Sequence, residues 1–108
     1  MRKANVYRNG KLVGVLTQFS ASNYEFRYDD NWFANGDLPA VSLTLPKNKQ
    51  VYKSEYLFPF FFNMLSEGVN RQLQSRQLKI DEKDYFGLLL ATAKTDTIGA
   101  ITISEIKE

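Results

Sequence analysis

The side chains here that could do acid–base or metal chemistry are the carboxylates Asp29-Asp30, Asp81-Glu82 with Asp84, and Asp96, and the amines Lys47, Lys49 and Lys53. No histidine or cysteine stands among them, because the 108 residues contain neither. That removes the commonest general base and metal ligand, and it excludes thiolate metal sites and disulfides. The acid pairs fall at turns or in the first turns of helices, where capping and the helix dipole account for them. Asp96, in Thr95-Asp96-Thr97, reads as a turn former, and the three lysines read as a small solvated loop. Neither G-x-x-x-x-G-K-[ST] nor G-x-G-x-x-G occurs, so no loop of those types cradles a phosphate. The sequence therefore assigns no catalytic residue, no metal ligand and no cofactor. It reads as a protein that is not an enzyme.

Charge narrows the partners. The 14 Lys and Arg against 12 Asp and Glu leave a net charge of +2, and the basic residues are scattered singly among acids. A nucleic-acid surface needs a concentrated basic stripe, so direct nucleic-acid binding is not expected. No apolar leader follows Met1-Arg2-Lys3. The most apolar run, Leu57 to Leu65, is about half the length of a bilayer span, so no membrane association is expected. The expectation is a soluble cytoplasmic protein with a single domain over residues 1–108.

The elements that would position any site read as strands first. Val6-Tyr7-Arg8 and Leu12 to Leu16 flank Asn9-Gly10, the strongest short hairpin signal, and Gly14 marks a bulge or a close backbone approach. Tyr24, Phe26 and Tyr28 alternate with Glu25 and Arg27 as a half-buried strand, turned by Asp29-Asp30-Asn31. Trp32 follows as an anchor over the sheet edge. Val41, Leu43 and Leu45 alternate with Ser42 and Thr44, predicting a further strand stopped by Pro46.

The period then changes. Ser54 can cap a helix from Glu55 to about Leu65, with Gly68 as its stop and Pro59 kinking its second turn. The alternative is a later start, with Pro59 at the first helical position. Val69 to Leu78 predicts a second, polar helix. Asp81 can cap a third, with Phe86, Leu89, Leu90 and Ala93 inward, and Ile98 to Ile103 predicts a last strand. Strands, then helices, then a strand argue an α+β fold with an antiparallel sheet and about three helices.

Four phenylalanines fall within positions 58–62. At about 100° per residue, Leu57, Phe60, Phe61, Met64 and Leu65 share one helical face, which is core, while Phe58 and Phe62 lie toward a flank. Two readings of that flank stand. It is covered by the polar helix and the loop around Pro46, or it belongs to a patch that binds a partner.

The ordered motifs resemble the N-terminal subdomain of HipA-type toxin kinases. The resemblance runs from Val6–Leu16 through Phe26-Arg27-Tyr28 and Trp32 to Val41-Ser42-Leu43-Thr44-Leu45-Pro46. It continues through Phe60-Phe61, Asn63-Met64-Leu65-Ser66-Glu67-Gly68 and Arg71, then Phe86-Gly87-Leu88-Leu89 and Asp96-Thr97-Ile98-Gly99-Ala100. The set S-L-x-L-P, N-x-L-x-E-G-x-x-R and D-x-x-G-A carries it, over roughly residues 4 to 103. Ser66 stands where the family usually has proline, and Lys94 where it has glycine. Phe62 occupies a position expected to be polar in full-length relatives.

The resemblance implies a small, partly barrel-like sheet capped by helices, normally fused in front of a serine/threonine kinase domain. Gly10, Gly14, Leu43, Leu45, Pro46, Phe61, Leu65, Asp96, Gly99 and Ala100 are then structural motif residues. No ATP-binding, catalytic or metal-binding motif of the kinase is present to be carried over. The implied protein is a stand-alone small subunit of a split toxin–antitoxin system. It would bind and restrain a separate HipA-like kinase chain, and meet a helix-turn-helix DNA-binding protein through the complex. Phe58, Phe62, Ser66, Glu67, Gly68 and Arg71 are the expected partner interface. The alternatives are a positive subunit that stabilises or assembles the kinase with its DNA-binding antitoxin, and an unrelated small-molecule-binding module.

Overall fold

The computed structural model describes residues 1–65, 67–93 and 101–106. Ser66, Lys94, Asp96, Ile98, Gly99 and Ala100, named above, lie outside the described residues.

The first three strands follow from their local sequence. β1 (Arg2–Arg8) turns into β2 (Lys11–Ser20) through Asn9 and Gly10, whose φ values of 49° and 81° are those of a type I′ turn. Tyr7 pairs with Leu12 but Val6 pairs with Gly14, so Val13 is the extra residue of a bulge. Gly14 also lies against β3 (Asn23–Tyr28), where a Cβ would overlap the Arg27 carbonyl oxygen and come within 2.9 Å of the Phe26 ring. Both expectations for Gly14 hold at once. Along β3, Tyr24, Phe26 and Tyr28 point inward as their alternation required.

After β3 the chain departs from expectation. Asp29 does not simply turn the strand. Its Oδ2 accepts from the amides of Asn31 (3.1 Å) and Trp32 (3.4 Å) and so caps α1 (Asp30–Ala34). Trp32 is buried by this short helix, and its Nε1 donates to the Pro39 carbonyl at 2.9 Å.

The strand expected over Val41 to Leu45 is absent, and that segment is a turn. The Tyr28 hydroxyl accepts from the Val41 amide at 3.0 Å and donates to the Leu45 carbonyl. Leu45 N–H returns to the Ser42 carbonyl at 3.1 Å. Val41 and Leu45 are thereby buried, while Leu43 is looped out to 99% exposure. Leu43 is therefore no part of the packed core.

The edge place in the sheet goes instead to β4 (Val51–Ser54), which pairs with β3 from Arg27↔Val51 to Tyr24↔Ser54. Ser54 therefore ends a strand and does not cap a long helix. The helix is a single turn, α2 (Pro59–Phe62), with Pro59 at its first position, as the later-start alternative has it. Leu57, Phe61, Met64 and Leu65 are buried, and Phe60 and Phe62 are half-buried. Phe58 is corrected: it precedes the helix at 6% exposure, its ring edge-on to Phe61, because no long helical wheel exists to carry it outward.

α3 (Gly68–Leu78) covers the second expected helix, and Gly68 opens it rather than closing α2. α4 (Tyr85–Thr92) is capped by Asp84, not Asp81. Asp81 instead accepts from the Lys83 amide at 2.8 Å in the preceding turn. Phe86, Leu89, Leu90 and Ala93 are buried as the spacing predicts. β5 (Ile101–Glu105) returns along β1, and its Ile103 amide also reaches the Ala93 carbonyl at 2.7 Å.

The fold is α+β, with an antiparallel sheet in the order β4-β3-β2-β1-β5. The sheet is open, with β4 and β5 as its edges. One row of paired residues (Ala4, Leu16, Phe26) and the next (Val6, Gly14, Tyr28) form its inner face. α2 and α4 cover that face with Phe61, Phe86 and Leu89. No helix among the described residues is long and apolar enough to cross a membrane.

Candidate partner-binding surface

Asp84 fixes where α4 begins. Its Oδ1 accepts from the Gly87 amide at 3.1 Å and from Arg2 Nη2 at 2.7 Å, and its Oδ2 accepts from Arg2 Nη1 at 3.2 Å. Arg2 Nε in turn donates to Gln18 Oε1 at 2.8 Å, and Gln18 Nε2 donates to the Tyr24 hydroxyl at 3.0 Å. The Arg2 hydrogen bonds hold the Asp84 carboxyl below its ordinary range, helped by the Gly87 amide and opposed by burial. A carboxylate held ionised and paired is in the wrong state for a general acid. Its role here is to join β1, β2 and the start of α4.

With α4 fixed, Tyr85 is aimed at α2. Its ring meets Phe62 edge-to-face, with centroids 5.1 Å apart at 84°. Arg71, in the first turns of α3, lays its guanidinium 5.6 Å from both ring centroids. Its Nε is buried without a hydrogen-bond partner. The ion pairs among the described residues are Arg2–Asp84 and Arg27–Asp30, so Arg71 is left without a carboxylate.

On the other side of this trio lies an apolar cleft of about 250 Å³. Tyr24, Leu57, Phe62 and Tyr85 wall it, and Ala21, Tyr56 and Lys83 stand at its rim. It continues past Ala21 and Lys83 into a shallower, more polar hollow along Arg2, Gln18 and Phe19. Small-molecule sites usually enclose roughly 300–1,000 Å³. At about 250 Å³ the apolar cleft falls just below that range.

α3 borders the same corner and none of its residues is buried. Val69 and Leu73, one turn apart, are 69% and 48% exposed. Of the residues expected at a partner interface, the structure joins Phe62 and Arg71 over Tyr85 and places Glu67 and Gly68, both exposed, at the start of α3. Phe58 is in the core. The sequence reading missed Tyr85, Lys83, Tyr56 and Ala21. The Asp84 cap, one residue before Tyr85, was the only local signal for any of them.

A family model described as "HipA N-terminal domain" matches residues 4–104. An uncharacterized protein of Haemophilus influenzae is 28% identical over 108 residues, taking in all of this chain and 96% of that protein. The "Putative kinase Y4mE" of Sinorhizobium fredii is 28% identical over 89 residues, which are 82% of this chain but 21% of the relative's length. Among solved structures, the "N-terminal domain of HipA toxin" superposes with a TM-score of 0.74 at 24% identity, covering all of this chain and 95% of the other. That likeness is one of fold.

Proposed function

The chain belongs to the HipA N-terminal domain family, and on that premise we propose that it is a non-catalytic component of a split HipA-type toxin–antitoxin module. It docks on a separate serine/threonine kinase chain in the cytoplasm and restrains it. A helix-turn-helix DNA-binding partner is met through that complex.

The observation that carries this reading is α3. An isolated helix of eleven residues is marginal in water and draws its stability from burying one face. α3 buries no residue fully, and it keeps Val69 and Leu73 outside on the face turned away from Arg71. Val69 and Leu73, neighbours at i and i+4, form an exposed apolar pair that a partner could cover. The match to a relative named as a kinase, in which the aligned part is about a fifth of the whole, supports a kinase as the partner.

The test is binding of the purified chain to its HipA-type kinase by calorimetry, with co-expression in growing cells. Micromolar or tighter binding and rescue of growth are expected. Leu73→Asp should weaken binding at least about tenfold while leaving the urea midpoint unchanged. Absence of binding overturns the reading. Binding that raises kinase activity or toxicity replaces restraint with the role of a positive subunit.

A further inference from the structure

We infer that the cleft between Tyr24, Leu57, Phe62 and Tyr85 receives an acidic–apolar segment of the kinase partner, one apolar side chain entering the cleft and a neighbouring carboxylate pairing with Lys83. The inference rests on the kinase-binding reading and specifies which part of the partner is gripped. Size speaks first: about 250 Å³ suits one or two side chains, and the walls are apolar or aromatic. Aromatic-lined grooves of this kind grip a short peptide by inserted side chains while the rim sets its orientation.

Charge speaks second. The Asp84 carboxylate at the adjoining hollow is taken by both Arg2 Nη atoms. Asp81 has one oxygen on the Lys83 amide, and Glu82 is exposed beside it. Lys83 and Arg71 flank the Phe62–Tyr85 pair, and neither forms an ion pair among the described residues. Of the residues that line the cleft itself, Lys83 is the charged one. A carboxylate entering beside the apolar walls complements it, and a cation would be repelled.

Two exposed positions test this without touching the core: Ala21→Trp fills the rim of the cleft, and Lys83→Glu reverses its charge. Each is measured by calorimetry against the same kinase chain at low and at high salt, with urea unfolding as the control for folding. Each variant should bind at least about tenfold more weakly. Wild-type binding should fall with salt, and Lys83→Arg should restore the salt-dependent part. If the wild type itself fails to bind the kinase, the kinase-binding reading falls. If the wild type binds and both variants bind equally well, that reading stands and this inference is overturned. A loss confined to one variant overturns the half of the inference that the other variant probes.

Discussion

Arg2 and Asp84 are 82 residues apart in sequence, yet Arg2 Nη2 stands 2.7 Å from Asp84 Oδ1. This pair ties β1 to the cap of α4, and through that helix it aims Tyr85 at Phe62. Because the folded pKa of Asp84 is lowered, its contribution to stability is present above the ordinary carboxylate value of about 3.9. It is lost as pH falls through the lower folded value. Asp84→Ala should cost about 0.5–2 kcal/mol at neutral pH through the lost cap. Asp84→Asn keeps the cap oxygen but should flatten the acid limb. Urea unfolding at neutral pH and at stepped acid pH reads both effects, and an unchanged acid limb in Asp84→Asn refutes the assignment.

A second prediction concerns the clamp on the Val41–Leu45 turn. Tyr28→Phe leaves the buried Val41 amide without its acceptor and the Leu45 carbonyl without its donor. The expected loss is about 1–3 kcal/mol. Burial is the main cause that raises the Tyr28 pKa, against the Val41 hydrogen bond. The clamp therefore holds below the ordinary phenol value of about 10 and is lost as pH rises through the higher folded value. Alkaline denaturation followed by tyrosine absorbance measures it.

Leu43 and Leu45, two residues apart, should behave as opposites. Leu43→Ser touches a side chain already in solvent and should change stability by no more than about 0.5 kcal/mol. Leu45→Ala should cost about 2–5 kcal/mol. Similar losses in urea unfolding for both would restore a strand to this segment.

Phe61 has no exposed surface and packs against the rings of Phe26 and Phe60, with centroids 5.6 and 5.2 Å away. Phe61→Ala should cost about 3–5 kcal/mol, enough to remove much of the stability of a domain this size. A loss below about 1 kcal/mol in the same assay would contradict its place in the core.

Local sequence determined whatever could be decided within a few residues. Asn9-Gly10 imposed the first hairpin because both residues accept a positive φ. The alternation of Tyr24, Phe26 and Tyr28 set the inner face of β3, and the spacing of Phe86, Leu89 and Leu90 set that of α4. The presence of α3 was legible too, although its lack of a buried face was not. Tertiary structure decided the rest. Val41 to Leu45 alternates as a strand should, but a strand exists only where another offers a ladder, and β3 gives that edge to Val51–Ser54. The Tyr28 hydroxyl then satisfies the backbone of the displaced segment. Asp81 and Asp84 are equal as caps by residue type, and Arg2, from the far end of the chain, attaches to Asp84. The cleft was invisible for the same reason: Ala21, Leu57 and Tyr85 become neighbours only when the β2–β3 turn, the segment before α2 and the start of α4 converge on one corner.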